Sequence, residues 1–258
     1  MFMLGKMGRR GHERKGPAPD YGNISPDARE IPFDAEKICY HGRAIEEKRM
    51  KLYVTLTSPY ARLARAVIIE KGLQDRVEVV PIQTRTPDSP LYAINPSGRV
   101  PTLVTDDGTM LEDSGLICAY LDHLDGAPLF EIERNAAGWT AMRLEARVRS
   151  MLDGIAVWGR ELYPPPSARS PGLIAHDTAR AHRMAQALDA DVAPRLFDGP
   201  LSIAQLLLAC ALHTREERLP DFQWRQGNDH LGAWVDKFSQ RPSIQETTPP
   251  PHPSETAR

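Results

Sequence analysis

The dipeptide Val100-Pro101 runs straight into Thr102-Leu103-Val104, a short β-branched and apolar run. A proline at the mouth of a strand has no N–H for a ladder, so it belongs at a sheet edge, at a bulge or after a cis bond. The residues ahead of it, Asn95-Pro96-Ser97-Gly98-Arg99, carry the punctuation of a turn. The flanking sequence says what this proline interrupts. Upstream, Leu52, Val54 and Leu56 alternate as in a strand, and Ser58-Pro59 opens a helix with Ser at the N-cap and Pro at the first turn. Leu63, Ala66, Val67 and Glu70 continue that helix to Gly72, and Val77, Val79 and Val80 form a second strand, so a parallel crossover is expected. Downstream, Thr102–Thr105 and Thr109–Leu111 flank Asp106-Asp107-Gly108 as a hairpin, and Glu112-Asp113-Ser114 opens a helix from Gly115 to about Asp122.

Beyond Glu131 no strand is predicted. Ala141, Leu144, Ala146, Val148, Met151, Leu152 and Ile155 give a long helix, with Trp158 and Tyr163 near its end and Pro164-Pro165-Pro166 stopping it. Ile174, Ala181, Met184, Ala185, Leu188 and Val192 give a second. Ser202-Ile203-Ala204-Gln205 reads as a capping box opening the most apolar helix, and His230, Leu231, Trp234, Val235 and Phe238 form the last. Strands first and helices later predict two packed domains, residues 50–126 and 131–245. The first 49 residues lack a sustained apolar period and begin basic; they are expected to be a disordered or non-native extension, with Met50 near the natural start of the fold. Residues 246–258, Pro-rich and polar, are expected to form a flexible tail.

Composition narrows the chemistry. The net charge of −2 over 258 residues gives no global field toward nucleic acid or an acidic membrane. The apolar run Ile203–Leu212 is too short to span a bilayer. Three distant cysteines, Cys39, Cys118 and Cys210, argue against a disulfide scaffold or zinc module and for a reducing, cytoplasmic setting. Cys118 and Cys210 fall on apolar helix faces as inert core thiols. The histidines show no metal spacing, His176 and His182 reading as surface residues, and no Gly-rich phosphate loop is present.

The segments TSPYARLARAVIIEKGL and NPSGRVPTLVTDDGTMLEDS, in this order and spacing, resemble the N-terminal half of bacterial glutathione S-transferases of the serine type. With the LDGI segment at Leu152–Ile155, the resemblance extends over about Lys51 to Gln245. It implies an α/β thioredoxin-like domain followed by an all-α domain. It also implies a homodimer that uses glutathione as co-substrate, with no other cofactor and no metal.

On this resemblance the Ser58 hydroxyl donates to the glutathione sulfur and favours the thiolate. Plain N-capping explains the same serine, and Thr55 and Thr57 are rivals for the role. Val100, before a cis Pro101, would pair its backbone with the cysteinyl part of glutathione like an added strand. Ser114, at a helix N-terminus, suits the γ-glutamyl carboxylate. Asp113 would face the ammonium, with Glu112 competing in register and simple capping the alternative reading of the pair. Arg99 either attracts the glycyl carboxylate or is a solvated loop residue. A hydrophobic electrophile would lie between the domains, with Tyr60, Trp158, Arg160 and Tyr163 as candidate walls, Trp158 foremost. Arg62 and Arg65 would face a partner subunit or water. The expected function is a glutathione transferase. The alternatives are another glutathione-dependent reaction on this scaffold (isomerase, dehalogenase, ether lyase or peroxidase) and a non-catalytic partner-binding protein.

Overall fold

Alternation of apolar and polar residues builds the first strand. In β1 (Met50–Val54) the side chains of Met50, Leu52 and Val54 are fully buried, while Lys51 points to solvent. A computed structural model describes residues 49–251, Tyr163 excepted. All but the last residue of the expected N-terminal extension, Cys39 with it, lies outside the described residues.

β1 pairs in parallel with β2 (Val77–Pro81) and antiparallel with β3 (Thr102–Val104), which pairs antiparallel with β4 (Met110–Glu112); the sheet order is β2-β1-β3-β4. Leu52 lies opposite Val79 on one side and Leu103 on the other. Helix α1 (Pro59–Glu70) connects β1 to β2, and α2 (Ser114–His123) packs against α1 and against β3 and β4.

A buried charge pair fixes the exit from this layer. Lys71, at the end of α1, lies 3.4 Å from Asp122, both side chains being almost wholly buried. The Asp122 carboxylate accepts the N–H groups of Leu129 (2.8 Å) and Phe130 (3.0 Å), and Lys71 Nζ donates to the Ala127 carbonyl at 2.7 Å. The connector is thus clamped by hydrogen bonds to charged groups, each worth about 1.5–3 kcal/mol.

The helical half comprises α3 (Ala136–Glu161), α4 (Pro171–Val192), α5 (Ile203–Leu212), α6 (Arg215–Arg218), α7 (Asp229–Phe238) and α8 (Pro242–Gln245). Side chains cap three of them: Asn135 caps α3, Ser170 caps α4, and the Ser202–Gln205 capping box opens α5. Every residue of α5 is buried, and the helix packs against α1, α3, α7 and α8, so it forms the seam between the two halves. The expected thioredoxin-like layer followed by an all-α half is the observed architecture.

The structure corrects two expectations here. Arg62 faces neither a partner nor water; it is 1% exposed. Its guanidinium donates to Thr247 Oγ1 (3.3 Å), to the His213 carbonyl (3.4 Å), to His213 Nδ1 (2.8 Å) and to the Ile244 carbonyl (2.8 Å). No carboxylate is among these partners. The charge sits instead at the C-terminal ends of α5 and α8, where carbonyls converge and the helix dipole favours a cation. The flexible tail does not begin at residue 246 either, because Thr247 is 1% exposed and held by Arg62 and by Arg65. Pro-rich composition signals disorder only where no partner satisfies the backbone, and Arg218 also donates to the Pro250 carbonyl.

Candidate functional site

Strand register brings the predicted residues to one end of the sheet. Thr102 stands opposite Tyr53 on β1 and Glu112 on β4. The chain leaving β1 toward Ser58, the chain entering β3 through Val100-Pro101 and the chain leaving β4 into Asp113-Ser114 therefore meet at the same edge. The Val100–Pro101 peptide is cis, and both residues lie beyond the last β1–β3 ladder pair.

The loop before Val100 is built from inside. Asn95 is 1% exposed; its amide donates to Thr102 Oγ1 at 2.9 Å and its oxygen accepts the Ser97 N–H at 2.9 Å. Gly98 adopts φ +63°, and a Cβ there would stand 2.4 Å from Tyr92 Cε1, so any larger residue is strained and must displace the tyrosine ring. Ser97 Oγ donates to Glu112 at 2.5 Å, tying the loop to the end of β4 and holding the Glu112 carboxyl below its usual range. Arg99 is exposed on this loop.

Ser58 is the N-cap of α1, and its Oγ accepts the Ala61 N–H at 3.3 Å. The cap uses an acceptor lone pair, so the hydroxyl proton remains available to another acceptor. Thr57 is exposed and Thr55 half-buried on the same approach. At the start of α2, Asp113 is the N-cap at φ +76°, and its Oδ1 accepts the Gly115 (2.8 Å) and Leu116 (3.3 Å) N–H groups. A non-glycine residue at such an angle costs about 1–3 kcal/mol, offset here by its own capping bonds. Glu112, the competing acid, turns away to Ser97. Ser114 is nearly buried, and its Oγ accepts from Arg149 Nη1 at 3.2 Å.

Arg149 comes from α3, and with it a stripe that sequence reading missed. Glu145, Arg149 and Asp153 recur every four residues and face the N-termini of α2 and α1. Arg149 pairs with Glu145 at 2.7 Å, and Asp153 accepts the Tyr60 hydroxyl. Burial and that bond push the Tyr60 phenol well above its ordinary range, so it serves as a neutral donor. The alternating signs were visible in the sequence; the helix ends that they meet were not.

Trp158 does not line a cleft. It is 1% exposed and packs edge-on against Phe222, with ring centroids 5.8 Å apart. The reason is periodicity: Met151, Ile155 and Trp158 continue the core-facing stripe of α3, while the site-facing stripe runs through 145, 149 and 153. Arg160 is exposed, and Tyr163 lies outside the described residues. His176 is exposed, but His182 is half-buried against Phe222, so only the first is a surface residue. Cys118 and Cys210 are each 1% exposed. Burial pushes the Cys118 thiol far up and the Cys210 thiol up to about 11, so neither supplies a thiolate. Among the described residues, no group of three or more His, Cys, Asp or Glu side chains could hold a metal ion, and no helix is long and apolar enough to cross a membrane.

Comparison with known proteins bears directly on this geometry. Residues 52–129 match the family model for the glutathione S-transferase N-terminal domain. An uncharacterised transferase-like protein of Escherichia coli, YibF, is 27% identical over 207 residues, which is 78% of this chain and 99% of that protein. A glutathione transferase family member from Pseudomonas fluorescens, solved with S-(propanoic acid)-glutathione bound, is 32% identical with a TM-score of 0.68, covering 78% of this chain and 99% of the other. A transferase from Methylobacillus flagellatus, solved with glutathione bound, is 29% identical with a TM-score of 0.71, covering 78% and 100%. Likeness over nearly the whole length of such relatives, with the sheet end, the cis proline and the acidic-serine helix start in place, shows that the chain belongs to the glutathione S-transferase family.

Proposed function

We propose that this protein is a glutathione transferase in which Ser58 activates the thiol. The observation that carries the reading is the Ser58 hydroxyl at the N-terminus of α1, capped as an acceptor yet free to donate. A thiolate placed there gains one hydrogen bond and the positive end of a helix dipole, both of which favour ionisation. Val100 offers its backbone beside the cis proline to the cysteinyl unit, and Ser114 with Asp113 holds the γ-glutamyl end. Arg99, exposed at the other side of the loop, attracts the glycyl carboxylate. Glutathione bound in the Methylobacillus relative supports this placement. The thiolate then attacks an electrophilic carbon and the leaving group departs with its electron pair; the protein supplies thiol activation and positioning.

Tyr60, rather than Trp158, forms the wall of the second-substrate space. The electrophile expected from the sequence is apolar. A second reading, in which it carries an acidic group, is favoured by Arg160, exposed and close enough to Tyr60 to act on its charge, and by the carboxylate-bearing conjugate in the Pseudomonas relative.

A homodimer is proposed from the apolar surface that α2, the connector and the start of α3 present: Leu116 (52% exposed), Leu129 (53%), Trp139 (56%) and Met142 (40%). Sedimentation of the wild type and of a Leu116→Asp variant tests it; a wild-type monomer would refute it. Two buried free thiols suit action in the reducing cytoplasm. Glutathione is the co-substrate, and no further cofactor is assigned.

The test of the main reading is Ser58→Ala with 1-chloro-2,4-dinitrobenzene, together with titration of the bound thiol by thiolate absorbance. Turnover should fall by about 10²-fold, as expected for loss of one stabilising donor, and the bound thiol pKa should rise. The cap lost with it costs about 1 kcal/mol of stability, which urea denaturation reads separately. Unchanged turnover with intact glutathione binding would refute the role of Ser58.

A further inference from the structure

The γ-glutamyl end of the site contains a charge that comes from the other half of the molecule. Arg149, on α3, is 25% exposed at its side chain and lies across the seam from the first turn of α2. Its Nε and Nη2 face Glu145 at 2.8 and 2.7 Å, which fixes the plane of the guanidinium. Its remaining edge donates from Nη1 to Ser114 Oγ at 3.2 Å. The guanidinium also rests on the α2 backbone, since a Cβ at Gly115 would stand 3.3 Å from Nη2.

A serine hydroxyl has one proton and two acceptor sites. With Arg149 occupying an acceptor site, the Ser114 proton must go to a different partner. Asp113 already takes the Gly115 and Leu116 N–H groups, and among the described hydrogen bonds none takes the N–H of Ser114. The Ser114 hydroxyl and N–H thus form a matched donor pair, and the neighbouring cation polarises the hydroxyl toward donation. A carboxylate satisfies that pair with its two oxygens.

We propose that Arg149 is a positioning residue for the γ-glutamyl α-carboxylate of glutathione, acting through Ser114; this deepens, and rests on, the glutathione reading above. Glu145 sets the guanidinium, the guanidinium sets the serine proton, and the serine reads the carboxylate. The helical half thereby takes part in recognising the part of glutathione farthest from the thiol.

The experiment compares glutathione with γ-aminobutyryl-cysteinyl-glycine, which lacks only that carboxylate, by calorimetric titration of the full chain. The wild type should prefer glutathione by between about tenfold and a hundredfold, the range expected of one charge-assisted hydrogen-bond pair. Arg149→Gln should cut the preference below about threefold, Arg149→Lys should recover part of it, and Ser114→Ala should leave Arg149→Gln with nothing further to remove. In turnover, the loss should fall on KM for glutathione more than on kcat. If Arg149→Gln keeps the wild-type preference, Arg149 has no such role. If the wild type binds neither peptide, the glutathione reading itself fails and this inference falls with it.

Discussion

Ser58 does two jobs that a sequence reading sets against each other. Capping takes a lone pair, thiol activation takes the proton, and one hydroxyl has both. Gly98 shows the opposite economy, one position where every larger residue is strained. Gly98→Ala should cost about 1–2 kcal/mol through its positive φ and its clash with Tyr92, and should weaken glutathione binding by displacing Val100. Adding Tyr92→Ala should return the steric part and leave the backbone part, as urea denaturation of the pair would show. Arg62 is costly to remove. Arg62→Ala leaves the His213 and Ile244 carbonyls and the Thr247 hydroxyl without their donor, an expected loss of about 3 kcal/mol; Arg62→Lys should recover less than half, because a point charge cannot serve a fork of acceptors. Nothing in YARLA marks this arginine as interior. A charged residue on a helix reads as solvated until the elements that surround it are known, whereas Ser58, Val100 and Asp113-Ser114 announce themselves through capping, turn and strand-entry chemistry.

Helix α1 is the element on which both halves converge, and the helical half grips it at both ends. Tyr60 bonds Asp153 and Arg62 bonds His213, Ile244 and Thr247 in its first turn, and Glu70 receives Arg241 (3.0 and 2.8 Å) and Ser243 (2.5 Å) at its end. Two of these grips titrate. Burial first, then the adjacent Arg62, depresses the pKa of His213 below its ordinary 6.5, so the unfolded chain binds the proton more readily. Its contribution to stability is complete above about pH 6.5 and declines as pH falls from there toward the folded pKa. For Glu70, burial raises the carboxyl, but the bonds from Arg241 and Ser243 outweigh it and leave the pKa below 4.5, so that contribution holds above about pH 4.5 and is lost in acid. Urea midpoints measured against pH should decline in these two separate windows, with His213→Asn removing the upper one and Glu70→Gln the lower. Helix α3 likewise carries two stripes. Its apolar face was legible at a period of 3.6, yet periodicity could not assign Trp158 to that face and the charged stripe to the site.

At the scale of the whole molecule, the sheet was legible because period-2 burial, Gly98, the hairpin and the proline fix it locally. The seam was not, because it depends on side chains far apart in sequence. The last described residues are the clearest case: composition made them a tail, while Thr247 is held by α1. Truncation after Gln245 should therefore lower Tm by about 5–10 °C, the shift expected for losing about 2–3 kcal/mol in a chain of this size, and a thermal scan would check it. The interior cation also bears on the order of assembly. Arg62 and Thr247 are 185 positions apart, so the segment around Thr247 has nothing to dock on until the first helix, the buried helix and the short final helix have come together. Protease sensitivity around Thr247 then reports the integrity of the N-terminal layer, and a ligand that steadies Ser58 would be felt as protection there.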